Sequence, residues 1–521
     1  MIGNEENLRT TTYQMTKNNQ HASRRSLQLL RQRIKNAVFV IWRGVEIVVM
    51  FSPLLILTPT AYIVSYTDEI WKRFCNRFNN CSVLLTSGYN IGEQFTSAQG
   101  NSSFSSDIAW CYTLFTLQYL GPSFVKLGQW AATRRDLFPV HFCNRLSKLH
   151  SRAQTHDFSH TRKALVESFG ESYESRGLVI NEDDVILGSG SAAQVYKASL
   201  KCSMNEKKTV AIKVLHPNIR VKVERDLVLM QHIADLIDRC IPIQSVKMLS
   251  LPRAVKNFAD IMIRQSDLTI ESKNLEIFRE NFGCSAKTTS TVYFPEPQRD
   301  WVSEKVLVED YIGDDAKPIS CYLADDSPTG LKERRVLAET FVRSALKMVF
   351  IDNFVHSDLH PGNVFVQEEQ TNSNETKYRI TFLDAGIATS LKPNDRKNLR
   401  DLFKAVVLND GYTAGSLMIE RARFERCSSV PGCKEKFASG VEEIVSEFHE
   451  RRKQGLTLGA VRVGSLLAKV LDLCRVNRVE IDPAMSSIVI SMLVLEGLGR
   501  SLDPDLNLIK TAIPFLIAGK V

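Results

Sequence analysis

The sequence has no Cys-x-x-Cys pair, although it contains 11 cysteines in 521 residues. Zinc ribbons and thioredoxin-like redox sites use that close spacing, so both classes are disfavoured. The shortest regular separation is six residues, at Cys75/Cys81 and at Cys427/Cys433. We therefore expect reduced and mostly buried thiols. A hydrophobic content of 44% with 24% charged residues is typical of a chain that buries a large core, and the length indicates about three domains.

Acidic residues are absent from residues 7–45, which contain eight lysines and arginines. The whole chain has a formal net charge of +8, so the remainder is electrically balanced. This distribution gives no support for nucleic-acid binding by the body of the protein. Residues 26–34 can form an amphipathic basic helix, as in a mitochondrial transit peptide. Glu5 and Glu6 count against that interpretation, and a disordered basic tail is the alternative.

Charge is also missing from residues 47–64, a run of eighteen positions. This length is sufficient for a transmembrane helix. Pro53 and Pro59 would kink such a helix, so a buried or interfacial helix is the alternative. Basic residues flank both ends, and the positive-inside rule therefore gives no orientation. The residues that follow end in a Ser/Asn/Gly-rich stretch typical of a linker, and Gly121-Pro122 then breaks a predicted helix.

The strongest chemical pattern lies between Phe350 and Ser390. Asp358 and Asn363 are five residues apart in a predicted loop, and Asp384 follows a predicted strand. The order His-x-Asp-x-x-x-x-Asn, then Asp-x-Gly, is typical of kinase catalytic and metal-binding loops. Asp358 could orient or deprotonate an attacking hydroxyl, while Asn363 and Asp384 could hold Mg²⁺ against the phosphates. The alternative is a solvated turn, which the presence of the third oxygen ligand disfavours.

A glycine-rich turn and a lysine-bearing strand precede that stretch. Gly188 and Gly190 lie between two predicted strands, where backbone amides can approach phosphates without a Cβ in the way. The next predicted strand, Val-Ala-Ile-Lys, places Lys213 where it can pair with the α- and β-phosphates. A buried lysine needs an anionic partner, and Glu271 in a predicted helical stretch over residues 257–282 is the candidate. A plain hairpin, an ordinary strand lysine and a surface acid are the respective alternatives.

An adenine contact is expected at the end of a later strand. Residues 306–313 predict a strand that leaves for a hinge, where backbone groups near Glu309 and Tyr311 could bind the base. ATP and Mg²⁺ are therefore the expected cofactors. The candidate nucleotide-binding residues are Gly188, Gly190, Val195, Lys213, Glu271, Glu309 and Tyr311.

With these motifs in order, the chain resembles the UbiB, or aarF-domain-containing, family of atypical kinases. The family's Lys-x-Gly-Gln motif matches residues 126–129, and GSGSAAQVYKA, VAIKVLHP, HSDLHPGN, LDAG and LEGLGRSLDP follow in the family order. The resemblance covers residues 107–521. It implies a mitochondrial, membrane-associated protein connected with coenzyme Q or related lipid metabolism. The implied partners are mitochondrial membrane lipid and coenzyme Q biosynthetic proteins.

Two departures from the family pattern resemble the second subgroup of animal aarF-domain-containing kinases. The Glu-x-Asp motif is Gln265-Ser266-Asp267, which loses one carboxylate, and Asp-Phe-Gly is Asp384-Ala385-Gly386, which loses an aromatic side chain. No Ala-Pro-Glu follows Asp384, and a new helix is already predicted from Pro393. The peptide-docking segment of ordinary protein kinases is therefore absent or very short.

The resemblance also assigns a regulatory position to the extension. In the family, Lys126 and Gln129 lie on a helix over the nucleotide cleft. We hypothesise that Lys126 pairs with Asp267 and holds the cleft in a restricted state, which membrane lipid relaxes. The alternative is an amphipathic helix with one polar face.

These patterns predict an α/β (α+β) class and an atypical protein-kinase-like bilobal fold with an N-terminal helical extension. The expected function is an ATP/Mg²⁺-dependent kinase or ATPase that acts on, or is gated by, a membrane lipid or small molecule. A nucleotide-binding pseudokinase scaffold and an ordinary protein kinase are the alternatives. The predicted boundaries are a basic targeting segment at 1–45, a transmembrane segment at 46–65, a linker at 66–106, the helical extension at 107–179, a small lobe at 180–313 and a helical large lobe at 314–521.

Overall fold

The computed structural model describes most of the chain from residue 104 onward and one short helix before it. The described residues are 42–53, 104–134, 137–138, 140–149, 155–180, 186–201, 207–240, 250–284, 290–325, 327–370, 376–422, 424–425, 427–453, 463–477, 479–506 and 508–518. The basic segment up to residue 41, most of the predicted transmembrane segment, nearly all of the predicted linker and the Cys75/Cys81 pair lie outside these residues. The chain divides into two compact units, Met1–Gly121 and Pro122–Val521.

Helices dominate the described residues. The α-helices are α1 (42–53), α2 (Phe104–Leu120), α3 (Pro122–Thr133), α4 (Val140–Leu146), α5 (Phe158–Phe169), α6 (Ile219–Cys240), α7 (Leu251–Gln265), α8 (Leu268–Phe282), α9 (Pro328–Lys347), α10 (Pro393–Val407), α11 (Gly411–Glu420), α12 (Cys433–Lys453), α13 (Val463–Asn477), α14 (Pro483–Leu502) and α15 (Leu508–Ala518). Short 3₁₀ turns lie at Ile319–Ala324, Pro361–Asn363 and Cys427–Ser429, and a π turn lies at Met348–Asp352.

The strands are short and mostly antiparallel. They are β1 (Leu178–Val179), β2 (Ile186–Ser189), β3 (Ala193–Lys201), β4 (Lys207–Leu215), β5 (Val292–Tyr293), β6 (Pro297–Val302), β7 (Val306–Asp310), β8 (Lys317–Pro318), β9 (Val355–His356), β10 (Val364–Gln370), β11 (Thr376–Phe382), β12 (Ala388–Thr389), β13 (Phe424–Glu425) and β14 (Val479–Glu480). The predicted strands around the glycine turn, at Lys213, at residues 306–310 and before Asp384 are confirmed.

The small lobe is built on a six-stranded antiparallel sheet. Its order is β1-β3-β4-β7-β6, with β2 paired to β3. Alternate residues of β4 and β7, including Ile212, Val214 and Val308, are fully buried against α5, whose Leu165 is also fully buried. Burial of about 25 cal/mol per Å² of apolar surface drives this packing. The period-2 alternation sends the intervening residues to the other face, which turns Lys213 toward the cleft.

The large lobe is organised around α9. Its inward residues Leu337, Phe341 and Val342 are fully buried, and α14 packs along it. Within the described residues, the stretch Ala484–Leu502 of α14 is the one helix long and apolar enough to cross a membrane, yet 56% of it is buried inside the fold. Its composition is therefore explained by its position in the core of the large lobe. A four-stranded sheet and the β9–β12 pair carry the loops of the site.

The first unit contains the described part of the predicted transmembrane segment. Residues 42–53 are helical, and the Tyr112 hydroxyl of α2 donates to the carbonyl of Met50 at 3.0 Å. Several apolar side chains of α1 are exposed, among them Trp42 at 72% and Val48 at 64%. The predicted helix break at Gly121-Pro122 is confirmed, since α2 ends at Leu120 and Gly121 has a φ of +100°.

One predicted helix is interrupted. Residues 257–282 form the end of α7 and the whole of α8 rather than one continuous helix. Asp267 has an extended backbone, with φ −139° and ψ 103°, and its carboxylate accepts the amide of Thr269. This N-cap satisfies an amide that would otherwise lack a partner at the start of α8. The prediction missed that the Ser-Asp pair is a helix boundary.

Candidate active site

The centre of the site is an ion cluster around Lys213. Strand β4 places this lysine between Val195 on β3 and Leu307 on β7. Its Nζ donates to both carboxylate oxygens of Glu271 at 2.8 Å and to Oδ1 of Asp384 at 3.2 Å. The predicted pairing of Lys213 with Glu271 is therefore present, and the same ammonium also reaches the residue predicted to hold the metal.

The two carboxylate partners of Lys213 differ in how far their side chains are exposed to solvent. The Glu271 side chain is 4% exposed, whereas the Asp384 side chain is 42% exposed. Glu271 therefore serves as the internal anchor of the lysine, and Asp384 presents its carboxylate to the cleft. A buried ion pair of this kind is poor evidence for stability, because desolvation offsets most of the attraction. The Lys213–Glu271 pair instead fixes the position of the Lys213 ammonium group.

Two of the carboxyl groups near Lys213 have raised pKa values. Burial raises the pKa of Glu271 to about 7, with Asp384 adding to the rise and Lys213 opposing it. Burial and then Glu271 raise the pKa of Glu309 to about 8. We call Lys213, Glu271, Glu309 and Asp384 the charged cluster. It sets one cation against three carboxyl groups.

The pKa values of Lys213 and Asp384, the other two members of the cluster, are shifted so that each residue favours its charged form. Burial opposes the charge of Lys213, but Asp384 and Glu271 outweigh it and raise the pKa of the lysine well above its usual value. Burial likewise opposes the charge of Asp384, yet Lys213 and then Lys126 hold the pKa of this carboxyl below its usual range. Asp384 therefore stays ionised at any physiological pH.

Asp384 is held in a left-handed backbone conformation. Its φ is +55°, a region that residues with a Cβ adopt at a cost of about 1 kcal/mol or more. The flanking bonds impose it: the Leu383 amide donates to the carbonyl of Asn363 at 2.8 Å, and the Asn274 side chain donates to the carbonyl of Ala385 at 2.7 Å. Asn274 lies one turn after Glu271 on α8, so that helix holds both the lysine partner and the metal loop.

A fully buried histidine joins the catalytic loop to the metal loop. His356 Nε2 lies 3.1 Å from the carbonyl of Leu383, and the amide of Asp358 donates to His356 Nδ1 at 3.2 Å. A carbonyl accepts only from a protonated nitrogen, so the proton resides on Nε2 and Nδ1 is the acceptor. Burial lowers the pKa of His356, which keeps the ring neutral as this pattern requires.

The side chain of Asn363 is oriented for metal binding. Its Nδ2 donates to the carbonyl of Asp358 at 3.1 Å, which leaves Oδ1 as the free ligand atom. No group of three or more His, Cys, Asp or Glu side chains in the described part of the chain forms a closed metal centre. One carboxylate and one amide fit Mg²⁺, which keeps waters and takes its remaining ligands from phosphates. The residues therefore fit the metal, and the ionised carboxylate of Asp384 favours a cation there.

The glycine turn is open toward the cleft. A Cβ added at Gly188 would meet no atom within 4 Å, and one added at Gly190 would meet only the carbonyl of Ala193 at 3.7 Å. The Gly190 amide donates to that same carbonyl at 2.8 Å, which closes the turn between β2 and β3. The space beside both glycines is therefore open. Val195 pairs with Gly188 across these strands.

A second polar group, which the sequence reasoning missed, holds the glycine turn. We call it the histidine network; its members are His156, Thr161, Gln194, Tyr196 and His216. His216 Nε2 donates to the carbonyl of Gly190 at 2.8 Å, and His216 Nδ1 lies 2.8 Å from His156 Nδ1. His156 Nε2 lies 2.9 Å from Thr161 Oγ1, and the Gln194 amide donates to the Tyr196 hydroxyl at 2.7 Å.

Within the histidine network, His156 is held in its uncharged form. Burial, with the positive fields of His216 and His160, lowers the pKa of His156 to about 4. The network joins α5 to the end of β4 and to the glycine turn. No linear motif marks it, because its two histidines are 60 residues apart in the sequence.

The hinge residues sit at the end of β7. Glu309 pairs with Ala211 in the sheet and points its buried carboxyl toward the charged cluster. Tyr311 lies just beyond the strand, under the Lys197 ammonium at 4.8 Å from the ring centre. Gly313 follows with a φ of +98°. The chain thus leaves the small lobe where the hinge was predicted, although the Glu309 side chain belongs to the charged cluster.

The extension contributes Lys126 and Gln129 from α3. Gln129 Nε2 donates to the carbonyl of Leu149 at 3.2 Å, and Trp130 packs on Phe258 of α7 with ring centres 5.7 Å apart. The hypothesised ion pair between Lys126 and Asp267 is not formed. Asp267 accepts from its own helix, at the amide and the hydroxyl of Thr269, while the charge of Lys126 acts on Asp384 instead.

The fold and the site define a protein of the kinase class: a lysine anchored by a helix glutamate faces an Asp–Asn pair and an Asp-x-Gly aspartate. Comparisons with known proteins agree. The model of the ABC1 atypical kinase-like domain matches residues 148–416, and the model of the UbiB helical domain matches residues 450–507. The chain belongs to the ABC1/UbiB family of atypical kinases.

Its relatives span mitochondria and bacteria. A mitochondrial ABC1 family protein of Schizosaccharomyces pombe is 31% identical over 555 residues, covering 93% of this chain and 72% of that protein. One of Saccharomyces cerevisiae, also named mitochondrial, is 32% identical and covers 93% and 75%. A probable protein kinase UbiB of Providencia stuartii is 31% identical and covers 77% and 68%.

Proposed function

We propose that this protein binds ATP with Mg²⁺ and transfers or hydrolyses its γ-phosphate. The observation that carries the proposal is the convergence of Lys213, Asn363 and Asp384 on one cleft, with Lys213 anchored at 2.8 Å by the buried Glu271. Phosphoryl transfer is catalysed chiefly by positioning and by electrostatic stabilisation, and this arrangement supplies both.

Each residue has a separate role in the proposed reaction. Lys213 binds the α- and β-phosphates, and Asn363 Oδ1 with the Asp384 carboxylate holds the metal, which neutralises charge on the phosphates when bound. Asp358 orients the attacking oxygen and accepts its proton. His356 keeps the backbone of Asp358 and that of Leu383 at a constant distance, so the base and the metal loop move together.

The acceptor in this proposal is a lipid, another small molecule or water rather than a peptide. Support comes from the chain after Asp384: α10 begins at Pro393, so the residues between them leave little room for a peptide-docking segment. The mitochondrial names of two relatives and the basic N-terminal sequence support a mitochondrial location. The uncharged run at residues 47–64 supports association with a membrane. The family resemblance extends this to a role in coenzyme Q or related lipid metabolism, with membrane lipid and biosynthetic proteins as partners.

The test compares purified full-length protein with its Asp358→Asn variant. Phosphate release from Mg²⁺·ATP is measured in three conditions: without vesicles, with phosphatidylcholine vesicles, and with phosphatidylcholine vesicles that also contain an anionic phospholipid. Removing a general base lowers turnover by about 10²- to 10⁴-fold, while nucleotide affinity by calorimetry should be unchanged. If neither wild type nor variant releases more phosphate than a protein-free control in any condition, the protein is a nucleotide-binding scaffold and the catalytic proposal fails; equal release above that control would remove Asp358 as the base.

A further inference from the structure

A second chemical feature lies in the large lobe, at the turn between β13 and α12. The two sulfur atoms, Cys433 Sγ and Cys427 Sγ, lie only 2.8 Å apart. Cys427 Sγ in turn donates to the carbonyl of Asn477 at 3.4 Å. The sequence spacing of six residues had argued against a redox pair, but the fold brings the two sulfur atoms together.

The backbone holds this contact in place. The Val430 amide donates to the carbonyl of Cys427 at 3.2 Å, and the Cys433 amide donates to the carbonyl of Val430 at 3.1 Å. Gly432 completes the reversal with a φ of +75°, a conformation that glycine adopts without strain. The turn is therefore already closed around the two thiols, and bonding them requires little further ordering of the chain.

The two thiols differ in access. Cys427 is 1% exposed within the apolar cluster of the large lobe, whereas Cys433 is half-buried at the first residue of α12. Burial and then the bond from Cys433 raise the pKa of the Cys427 thiol to about 12. An external reagent therefore meets Cys433 first. The thiol of Cys284 differs from that of Cys433 in its neighbour: it donates to the backbone carbonyl of Val292 at 3.5 Å, whereas Cys433 lies against another thiol.

We propose that Cys427 and Cys433 are a modification site that forms a reversible internal disulfide by exchange with a small disulfide such as oxidised glutathione. The Cys433 thiolate attacks one sulfur of the reagent, and one glutathione leaves as a thiolate. Cys427 then loses its proton and attacks the Cys433 sulfur, which expels the second glutathione. Two cysteine thiols are oxidised, and one glutathione disulfide is reduced to two thiols.

This modification would act on the frame of the large lobe. The turn joins β13 to α12, and Asn477, which accepts from Cys427, is the last residue of α13, shortly before β14, the partner strand of β13. A disulfide would fix the turn that connects these elements. The inference concerns residues remote in sequence from the nucleotide motifs and does not depend on the proposed function.

The test uses full-length protein equilibrated with mixtures of reduced and oxidised glutathione, then quenched with iodoacetamide. Trypsin releases residues 427–434 as one peptide that holds both cysteines and no other. The expected product at oxidising ratios is this peptide with two hydrogens fewer and no carbamidomethyl group, restored by dithiothreitol. Two carbamidomethyl groups on the peptide at every ratio would overturn the proposal, as would a glutathione that stays on Cys433.

Two variants separate the steps. In Cys427→Ser, no resolving thiol remains, so the glutathione adduct on Cys433 should accumulate. Cys321→Ser, at an exposed cysteine, is the matched control and should close the 427–433 disulfide as wild type does. If Cys427→Ser carries no adduct while folded by circular dichroism, Cys433 is not the entry point and the exchange mechanism is wrong. The wild-type peptide mass tests the disulfide itself even if the variant does not fold.

Discussion

The charged cluster and the histidine network both include a residue near the end of β4, Lys213 and His216, but their polar side chains are balanced in different ways. The charged cluster contains one cation and three carboxyl groups, all close to Lys213, and two of the carboxyls have raised pKa values. The histidine network contains no carboxyl group, and its side chains connect Gln194 to the carbonyl of Gly190 through the uncharged His156.

This difference separates binding from scaffolding. The charged cluster presents the ionised carboxylate of Asp384 to the cleft, where it could serve as a ligand for a divalent cation. The side chains of the histidine network find their hydrogen-bond partners within the protein, so their contribution is to hold the glycine turn against α5 and β4. Titration and mutation should therefore affect the two regions in opposite directions.

The largest expected effect follows from removing the cation of the charged cluster. Lys213→Met leaves Glu271, Glu309 and Asp384 without their shared partner, so the free energy of unfolding at pH 8 should fall by about 3 kcal/mol. Glu271 and Glu309 already have raised pKa values, and they take up protons as the pH falls toward 6. The variant should therefore recover part of its stability on acidification, which chemical denaturation at several pH values measures.

The control for this substitution is Lys207→Met, at an exposed position of the same strand. It should change stability by less than about 0.5 kcal/mol at every pH. A Lys213→Met variant whose loss of stability does not shrink below pH 7 would show that the carboxyl groups are not coupled through this lysine.

The histidine network should respond to acid with the opposite sign. The pKa of His156 is about 4 in the folded protein and about 6.5 when unfolded, so between these values the unfolded chain binds the extra proton. Stability is therefore complete above pH 6.5 and is lost as the pH falls toward 4, by at most about 1.4 kcal/mol per pH unit. Denaturation of wild type between pH 7 and 4.5 measures this slope.

Substitution identifies the group responsible. His156→Gln should reduce the slope below pH 6.5, whereas His232→Gln, at an exposed histidine of α6, should leave it unchanged. Equal slopes in wild type and His156→Gln would assign the acid sensitivity to other groups.

The smallest effect on stability is expected at an ion pair with a short N···O distance but solvent-exposed side chains. Lys305 and Glu167 are 2.6 Å apart, closer than Lys213 and Glu271, yet their side chains are 56% and 41% exposed. Solvent screening should limit the loss in Lys305→Ala to less than about 1 kcal/mol. A loss as large as that of Lys213→Met would mean that distance, rather than burial, governs these pairs.

The sequence predicted those parts of the site whose residues are neighbours in the chain. Asp358, Asn363 and Asp384 belong to linear motifs. Lys213 lies on a predicted strand that comes after the glycine turn. Glu271 was found because a buried lysine needs an anion, which is a physical rule rather than a pattern. The strands, the hinge and the helix from Pro393 were predicted from alternation, Gly and Pro.

The missed features depend on contacts between distant segments. The histidine network, the contact of Cys427 with Cys433 and the influence of Lys126 on Asp384 arise from packing, which periodicity does not encode. The Lys126–Asp267 hypothesis failed because Asp267 has a stronger local role as the cap of α8. A Ser-Asp pair inside an apparently continuous helix was the signal that could have revealed this break.

The most direct test of the account is the Mg²⁺ dependence of nucleotide binding in Asp384→Asn. The variant replaces a charged ligand with a neutral amide and removes a carboxylate that repels the phosphates. ATP affinity by calorimetry should therefore fall at least about tenfold with Mg²⁺ present, a loss of about 1.4 kcal/mol, and should hold or improve in EDTA. Asp358→Asn, which is not expected to ligate metal, should keep the wild-type dependence. An Asp384→Asn protein that binds ATP with the wild-type Mg²⁺ dependence would contradict the assignment of the site.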